Sequence, residues 1–538
     1  MALDPVSGTV EWQALAAAAQ APRGRRVKSL ADPVRLERFV AEACGLRLDL
    51  TRQLFDADEL DLLLWLIEDR EVMEQVTAMF TGAKVNTTEE RAALHTALRA
   101  PAGAALSVDG LDVEAAVQGE LAKMEQFSQA VRDGSRSGAT GEKFTTVVNL
   151  GIGGSDLGPR MATAALRPFA SEELDVRFVS NVDPADLAAA LHGLDPATTL
   201  FIVCSKTFTT LETMTNARIA REWIVESLGQ DAVADHMVAV STAEAEVSAF
   251  GIDPASGMFN FWDWVGGRYS VGSAIGLSLM IAIGPSYFRA FLSGMHEMDN
   301  HFRAAPAEIN LPILLALSWL WNGSLAGHQS HAVLPYASDL RFLPAWLQQL
   351  DMESNGKSVR VDGSPVDVDT GTVVWGQAGT DGQHAFHQLL HQGTRTVPCD
   401  LIGFAKSVDP EQQPQQDLLV ANLVAQAEAL SVGRNEKAAA ATGDAGLAPH
   451  RRFAGGRPVN VIIAKQLDPK TLGALLALYE HKVFVEAAIW GINPFDQYGV
   501  ELGKELAGVI TPELEGTSSG DHDPSTQALI AAIRSLRD

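Results

Sequence analysis

Apolar and polar positions follow two different rhythms along the chain. From Arg35 to Val85 the apolar residues fall at helical spacing, and acids cluster at Asp56-Ala57-Asp58-Glu59, so roughly the first hundred residues read as helices. The run Arg99-Ala100-Pro101-Ala102-Gly103 interrupts this pattern. An amphipathic helix is expected from Val113 to Val131, followed by an exposed loop over Asp133-Gly134-Ser135-Arg136-Ser137-Gly138. Short β-branched runs then alternate with helical ones. Strands are predicted at Thr145 to Leu150, Val176 to Ser180, Thr199 to Ser205 and His236 to Ser241, with helices at Pro184 to His192 and Leu211 to Ser227. The rhythm restarts after about residue 305. It predicts strands at Ala332 to Tyr336, Thr372 to Trp375, Cys399 to Phe404 and Val459 to Ile463. Helices are expected around Leu343 to Leu350, His384 to His391, Gln416 to Leu430 and Thr471 to Trp490. Continuous apolar strands separated by helices imply parallel sheets covered on both faces. The expected fold is therefore α/β, with two doubly wound units behind a helical arm. Ala438 to Gly456 is Ala/Gly-rich and reads as a surface excursion; the tail after Pro512 reads as loop, closing on a short helix capped by Ser525.

Two stretches without charge, Arg268 to Arg289 and Glu308 to Asp339, approach the length of a membrane span. Their serines, glycines, histidines and amides fit helices and strands buried inside a large α/β domain instead. The 538 residues allow about three or four domains by length alone, but the rhythm gives only two α/β units. With 41 basic and 67 acidic residues the formal charge is −26, which repels nucleic acid and anionic membranes. Cys44, Cys204 and Cys399 are far apart and match no zinc spacing, as expected of reduced thiols in a cytoplasmic protein. The N-terminus lacks the basic and apolar regions of a signal peptide.

Six segments carry candidate chemistry. Gly151-Ile152-Gly153-Gly154-Ser155-Asp156-Leu157-Gly158 follows a strand, where exposed backbone N–H groups suit a phosphate; a purely structural tight turn is an equal reading. Asp156 stands at the third glycine position of the dinucleotide fingerprint, where an acid opposes a pyrophosphate, and Leu157 breaks the serine-nucleophile pattern. Ser205-Lys206-Thr207-Phe208-Thr209-Thr210 crowds four hydroxyls and an ammonium at a helix start, more than an N-cap requires, which favours phosphate binding. In Asp263-Trp264-Val265-Gly266-Gly267-Arg268-Tyr269-Ser270, paired glycines and apolar flanks favour a recessed Arg268. Glu353, in Gln348-Gln349-Leu350-Asp351-Met352-Glu353-Ser354-Asn355-Gly356-Lys357, is either a general base or a solvated acid, and the segment alone favours the latter. His384, in Gly382-Gln383-His384, is either an acid/base group or a core histidine. In Gly491 to Lys504, Gln497 and Lys504 are seven apart and are expected on one helix face; Lys504 either serves a site or snorkels.

Taken in order, these six segments resemble the glucose-6-phosphate isomerase (phosphoglucose isomerase) family, from about residue 30 to 510. Gly267-Arg268 and Asn493 to Lys504 are the most specific matches. The resemblance implies two sugar-isomerase α/β/α sandwich domains and a homodimer that interconverts glucose 6-phosphate and fructose 6-phosphate without a metal or redox cofactor. The division it implies is a helical N-terminal arm over 1–110, a smaller domain over 111–295, a larger domain over 296–510 and a C-terminal tail over 511–538. Carried onto this chain, Ser205, Lys206, Thr207 and Thr210 hold the phosphate, with Gly154, Ser155 and Gly267 beside it. Glu353 moves the proton between C1 and C2, Arg268 stabilises the enediolate, and His384 and Lys504 open and close the ring. Gln349 and Gln497 line the site, and His384 reaches the site of the other subunit. The chain departs from the family at Gln329-Ser330, where an acid–Thr pair is expected.

Chemistry agrees with this assignment. Removing a proton beside a carbonyl builds charge on oxygen, which a fixed cation offsets, and one carboxylate can both accept and return the proton. A non-catalytic sugar-phosphate sensor on the same fold needs phosphate donors but no base, so Glu353, His384 and Lys504 argue against it. An extracellular signalling role has no support from the sequence.

Overall fold

A computed structural model describes residues 4–20, 33–103, 106–441 and 445–537. The part of the expected arm over 21–32 lies outside them, as does 442–444 in the Ala/Gly-rich stretch. The chain forms two units, Met1–Pro494 and Phe495–Asp538.

The first unit holds two sheets. In chain order the strands are β1 (Val40–Ala43), β2 (Leu46–Arg52), β3 (Ser107–Val108), β4 (Leu111–Asp112), β5 (Thr146–Leu150), β6 (Asp175–Val179), β7 (Thr199–Cys204), β8 (Met237–Val240), β9 (Met258–Phe259), β10 (Ser330–Pro335), β11 (Val373–Trp375), β12 (Cys399–Phe404) and β13 (Val459–Ala464). One sheet runs β6-β5-β7-β8-β9, parallel throughout. The other runs β1-β2-β13-β12-β10-β11, with β10 to β13 parallel. β3 and β4 make a separate small hairpin.

The N-terminal region is not wholly helical. β1 and β2 form a hairpin, and β2 pairs antiparallel with β13. Leu46, Leu48 and Leu50 alternate with Arg47 and Asp49, and this period of two puts the leucines in the core. The helical spacing belongs to the helices that follow, Ala57–Asp69 and Val72–Phe80; Asp56 and Glu59 close a capping box on the first.

Helices cover the buried apolar residues of both sheets. Phe201, Val203 and Ala239 pack against Ala217, Ala220 and Ile224 of the helix Leu211–Leu228. Leu401, Val459 and Val461 pack against Leu423, Ala427 and Leu430 of the helix Gln413–Val432. Each such fully buried Leu, Val, Ile or Phe contributes about 1.5–3 kcal/mol.

The two uncharged stretches supply the helices Leu277–Ile283 and Leu311–Leu320, buried along their whole length. No helix among the described residues is long and apolar enough to cross a membrane. The helix Pro469–Trp490 is buried on all sides. It crosses Pro285–Ala304 at glycines: a Cβ on Gly294 would meet the Lys470 carbonyl oxygen at 1.9 Å, and one on Gly473 would meet that of Phe291 at 2.0 Å. Only glycine permits so close a crossing.

In the second unit the 3-10 turn Tyr498–Val500 leads into the helix Glu501–Leu514, and a second helix spans Pro524–Ser535. Three expectations are corrected here. Pro512 lies inside a helix and does not begin a loop. Asp523, not Ser525, caps the last helix, accepting from the N–H groups of Ser525 and Thr526 with Pro524 in the first turn. Gln497 is not on the helix that carries Lys504, because its backbone (φ −155°, ψ 49°) lies ahead of the 3-10 turn.

Candidate active site

In the five-stranded sheet β5 is followed by β6 on one side, while β7 lies on the other. The chain therefore reverses direction across the sheet between β5 and β7, the position where open α/β sheets bind ligands at their carboxyl ends. Two of the six segments leave the sheet at this point. The glycine turn follows β5, and Ser205 to Thr210 follows β7.

The Ser205 loop is held from below. The Lys206 carbonyl accepts from Thr242 N at 2.9 Å, from Thr242 Oγ1 at 2.9 Å and from Ser241 Oγ at 3.0 Å. Phe208 is buried in the sheet's core although its φ is +54°, a conformation unfavourable for a residue with a Cβ. Thr210 is the N-cap of Leu211–Leu228, yet its side chain makes no capping bond. It accepts instead from Ser205 Oγ at 3.2 Å, while Thr207 Oγ1 and Thr209 Oγ1 lie 2.7 Å apart. The hydroxyls are thus not consumed in capping. Lys206 Nζ stands 3.0 Å from Asp263 Oδ1. Burial alone would raise the Asp263 carboxyl, but the hydrogen bond and charge of Lys206 outweigh it and leave the pKa lowered.

The glycine turn meets the Arg268 segment directly. A Cβ on Gly154 would lie 2.1 Å from the Gly267 carbonyl oxygen and 2.8 Å from Arg268 N. Gly153, at φ +59°, faces Gln349, whose Nε2 is 3.0 Å from the Cβ position. Gln349 Oε1 is buried and without a hydrogen-bond partner among the described residues, an amide oxygen open to a ligand. Ser155 is half-buried in the first turn of the helix Gly154–Ala165. Asp156 turns away from any anion there, pairing with Arg160 at 2.9 Å.

Arg268 is recessed, as its flanks imply, at 3 % exposure. Its Nε donates to Ser354 Oγ at 2.6 Å, its Nη2 donates to the Pro494 carbonyl at 2.5 Å, and its Nη1 lies 3.5 Å from Glu353 Oε1. Tyr269 OH also meets Ser354 Oγ, at 3.0 Å. Glu353 ends a π-helical turn, Gln348–Glu353, that continues the helix Leu343–Leu347. Such turns recur at functional sites. Its side chain is 21 % exposed, between buried Asp351 and buried Ser354.

The first unit thus brings together Gly154, Gly267, Arg268, Gln349 and Glu353, with Ser205 to Thr210 at the same sheet edge. His384 is exposed at the end of the 3-10 turn Asp381–His384, and no hydrogen bond or ion pair joins it to Glu353 or Arg268 among the described residues. In the second unit Lys504 is exposed and Gln497 half-buried. Gln329-Ser330 lies at the start of β10, where the Gln329 carbonyl accepts from Val373 N. Ser354 and Asp263 had no role assigned from sequence, although both stand beside singled-out residues. A hydroxyl next to the acid and an acid near the arginine were the available signals.

The α/β fold thus places a loop of hydroxyls and a lysine at its switch point and a carboxylate beside a buried guanidinium, an arrangement suited to an anionic ligand. The comparisons narrow that reading. The phosphoglucose isomerase family model matches residues 49–530, and the chain belongs to this family. It is 54% identical over 98% of its length to glucose-6-phosphate isomerase of Gloeobacter violaceus, covering 97% of that protein. It is 56% identical to glucose-6-phosphate isomerase 1 of Streptomyces avermitilis, covering 94% of this chain and 93% of the other. The crystal structure of a glucose-6-phosphate isomerase from Chlamydia trachomatis superposes with a TM-score of 0.87 at 32% identity, over 99% of this chain and 100% of that one.

Proposed function

We propose that this chain catalyses the reversible isomerisation of glucose 6-phosphate and fructose 6-phosphate, the aldose–ketose step shared by glycolysis and gluconeogenesis. The observation that carries the reading is Glu353 beside Arg268, next to a hydroxyl-and-lysine cradle at the sheet's switch point. Ser205, Lys206, Thr207 and Thr210 bind the phosphate dianion, aided by Ser155 and by the backbone at Gly154 and Gly267. Gln349 and Gln497 orient the sugar. His384 and Lys504 open the ring by moving a proton between the ring oxygen and the C1 hydroxyl. Glu353 then takes the proton from C2 of the aldose and returns it to C1. The negative charge that develops on the enediolate oxygens faces Arg268, whose guanidinium is already fixed and desolvated, so little reorganisation is needed as charge appears.

The working unit in this reading is a homodimer, with His384 completing the partner's site. The exposure of His384 supports this, as do the exposed Leu502, Leu506, Val509 and Leu529 on the C-terminal helices. The domains are 111–295 around the five-stranded sheet and 296–510 around the six-stranded one, to whose edge the 1–110 arm adds the β1–β2 hairpin, with 511–538 as the C-terminal arm. The location is the cytoplasm, consistent with three free thiols. A coupled assay with fructose 6-phosphate, run beside mannose 6-phosphate, tests activity and sugar selectivity together; no turnover of fructose 6-phosphate would overturn the proposal.

A further inference from the structure

The helix Pro469–Trp490 is apolar along most of its length, yet it carries Lys482 at its centre, 0 % exposed. Lys482 Nζ donates to Asp351 Oδ2 at 2.5 Å, lies 2.9 Å from Glu486 Oε2, and sits 3.3 Å above the Trp319 ring. Glu486 Oε2 in turn accepts from Asn355 Nδ2 at 2.8 Å, and Asn355 Nδ2 also reaches the Val483 carbonyl at 3.3 Å. Asp351 and Asn355 flank Glu353 by two residues on either side, so both anchors of that segment run to one buried helix.

A buried ion pair is weak evidence for stability, since apolar side chains of similar volume hold a fold as well or better. The cluster therefore calls for a role that methionine could not fill. Burial raises the Glu486 carboxyl, with Asp351 adding to the rise and Lys482 opposing it. The Lys482 side chain joins both anchors, to Asp351 directly and to Asn355 through Glu486. The π-helical turn departs from the i→i+4 ladder of the helix it continues, and the bonds at Asp351 and Asn355 tie both sides of Glu353 to the buried helix.

We propose that Lys482 is a positioning residue for the base. Through Asp351 on one side, and through Glu486 and Asn355 on the other, it fixes the turn that aims Glu353 at the substrate. This inference rests on the reading of Glu353 as the base. The test uses the full-length protein and the neutral pair Lys482→Met/Asp351→Asn, which removes both charges together. Far-UV circular dichroism and the thermal transition establish that the variant folds. Its kcat should fall by about ten- to a hundredfold, the cost of a misplaced reacting group, while KM and the inhibition constant of inorganic phosphate stay within about threefold. In a Glu353→Gln background the same pair should cost less than about twofold more, because its effect passes through the missing carboxylate. An unchanged kcat in the folded variant, or an equal loss in the Glu353→Gln background, overturns the inference. Full turnover in Glu353→Gln alone overturns the base assignment instead, and the inference with it. If the pair does not fold, Asp351→Asn alone leaves Lys482 its Glu486 partner and should lose about fivefold in kcat at constant KM. An unchanged kcat there overturns the inference as well.

Discussion

Arg268 Nη1 lies 3.5 Å from Glu353 Oε1, and Ser354, the next residue, accepts from Arg268 Nε at 2.6 Å. The cation and the carboxylate are thereby fixed to one another through adjacent residues of one turn. Such a pair can hold negative charge on a substrate oxygen while the carboxylate moves a proton at the neighbouring carbon. Glu353→Gln keeps the volume and hydrogen-bonding reach but cannot take up a proton. We expect it to retain sugar-phosphate binding and to lose isomerisation by at least about a hundredfold. Near-normal turnover in a coupled assay would refute the assignment.

Arg268 also bonds to Ser354 Oγ and the Pro494 carbonyl, so its guanidinium is held before any substrate arrives. Its contribution should therefore fall on the transition state. Arg268→Ala is expected to lower kcat by about a hundredfold or more, and to change the affinity for inorganic phosphate much less. An equal loss in both quantities would make Arg268 a phosphate ligand.

Lys206 is the opposite case. It sits in the hydroxyl-rich loop after β7, and its ammonium is held by Asp263. A substrate phosphate would compete with that carboxylate for it. Lys206→Gln should raise KM by about tenfold, the worth of one charge-assisted hydrogen bond, and leave kcat within about threefold. A drop in kcat at constant KM would exclude the phosphate role.

Most of the parallel strands were legible because buried strands are continuous apolar runs, and β12 matches the predicted Cys399 to Phe404 residue for residue. The β1–β2 hairpin was missed for a definable reason. Its alternating leucines lie in a strand of only seven residues, and the capped helix beginning at Ala57 dominates any longer window. β9 spans only Met258–Phe259, too short to leave a pattern. The hydroxyl-rich start of the helix Leu211–Leu228 was legible because its residues are contiguous in sequence. The relation of Lys482 to Asp351 was not, since 131 residues separate them and pairing at that distance leaves no local trace. The one local sign was a lysine within an apolar helical run.

Gly154 faces backbone, not side chain. A Cβ there would fall 2.1 Å from the Gly267 carbonyl oxygen and 2.8 Å from Arg268 N, and neither atom can rotate away. Gly154→Ala must therefore push the Arg268 segment off the glycine turn. We expect it to lower stability by about 1–3 kcal/mol and to cut kcat together with it, with denaturant unfolding and steady-state kinetics as the measurements. A stable variant with full activity would show that the two segments do not need this contact.

Asp156 supplies a pH-dependent test of the same turn. Burial pushes its carboxyl up to about 6, and the charge and hydrogen bond of Arg160 only partly offset that. A carboxyl whose pKa is higher folded than unfolded binds more protons in the native state between the two values. Its ionisation then costs the native state more than the unfolded one, so stability falls as pH rises from about 4 to about 6 and is level above that. Asp156→Asn keeps an oxygen for Arg160 and removes the ionisation. The gain in stability from this substitution should therefore be larger at about pH 7.5 than at about pH 5, by roughly 1 kcal/mol. Urea unfolding of both proteins at the two pH values measures it. An equal difference at both would mean that Asp156 is ionised throughout, with Arg160 outweighing burial.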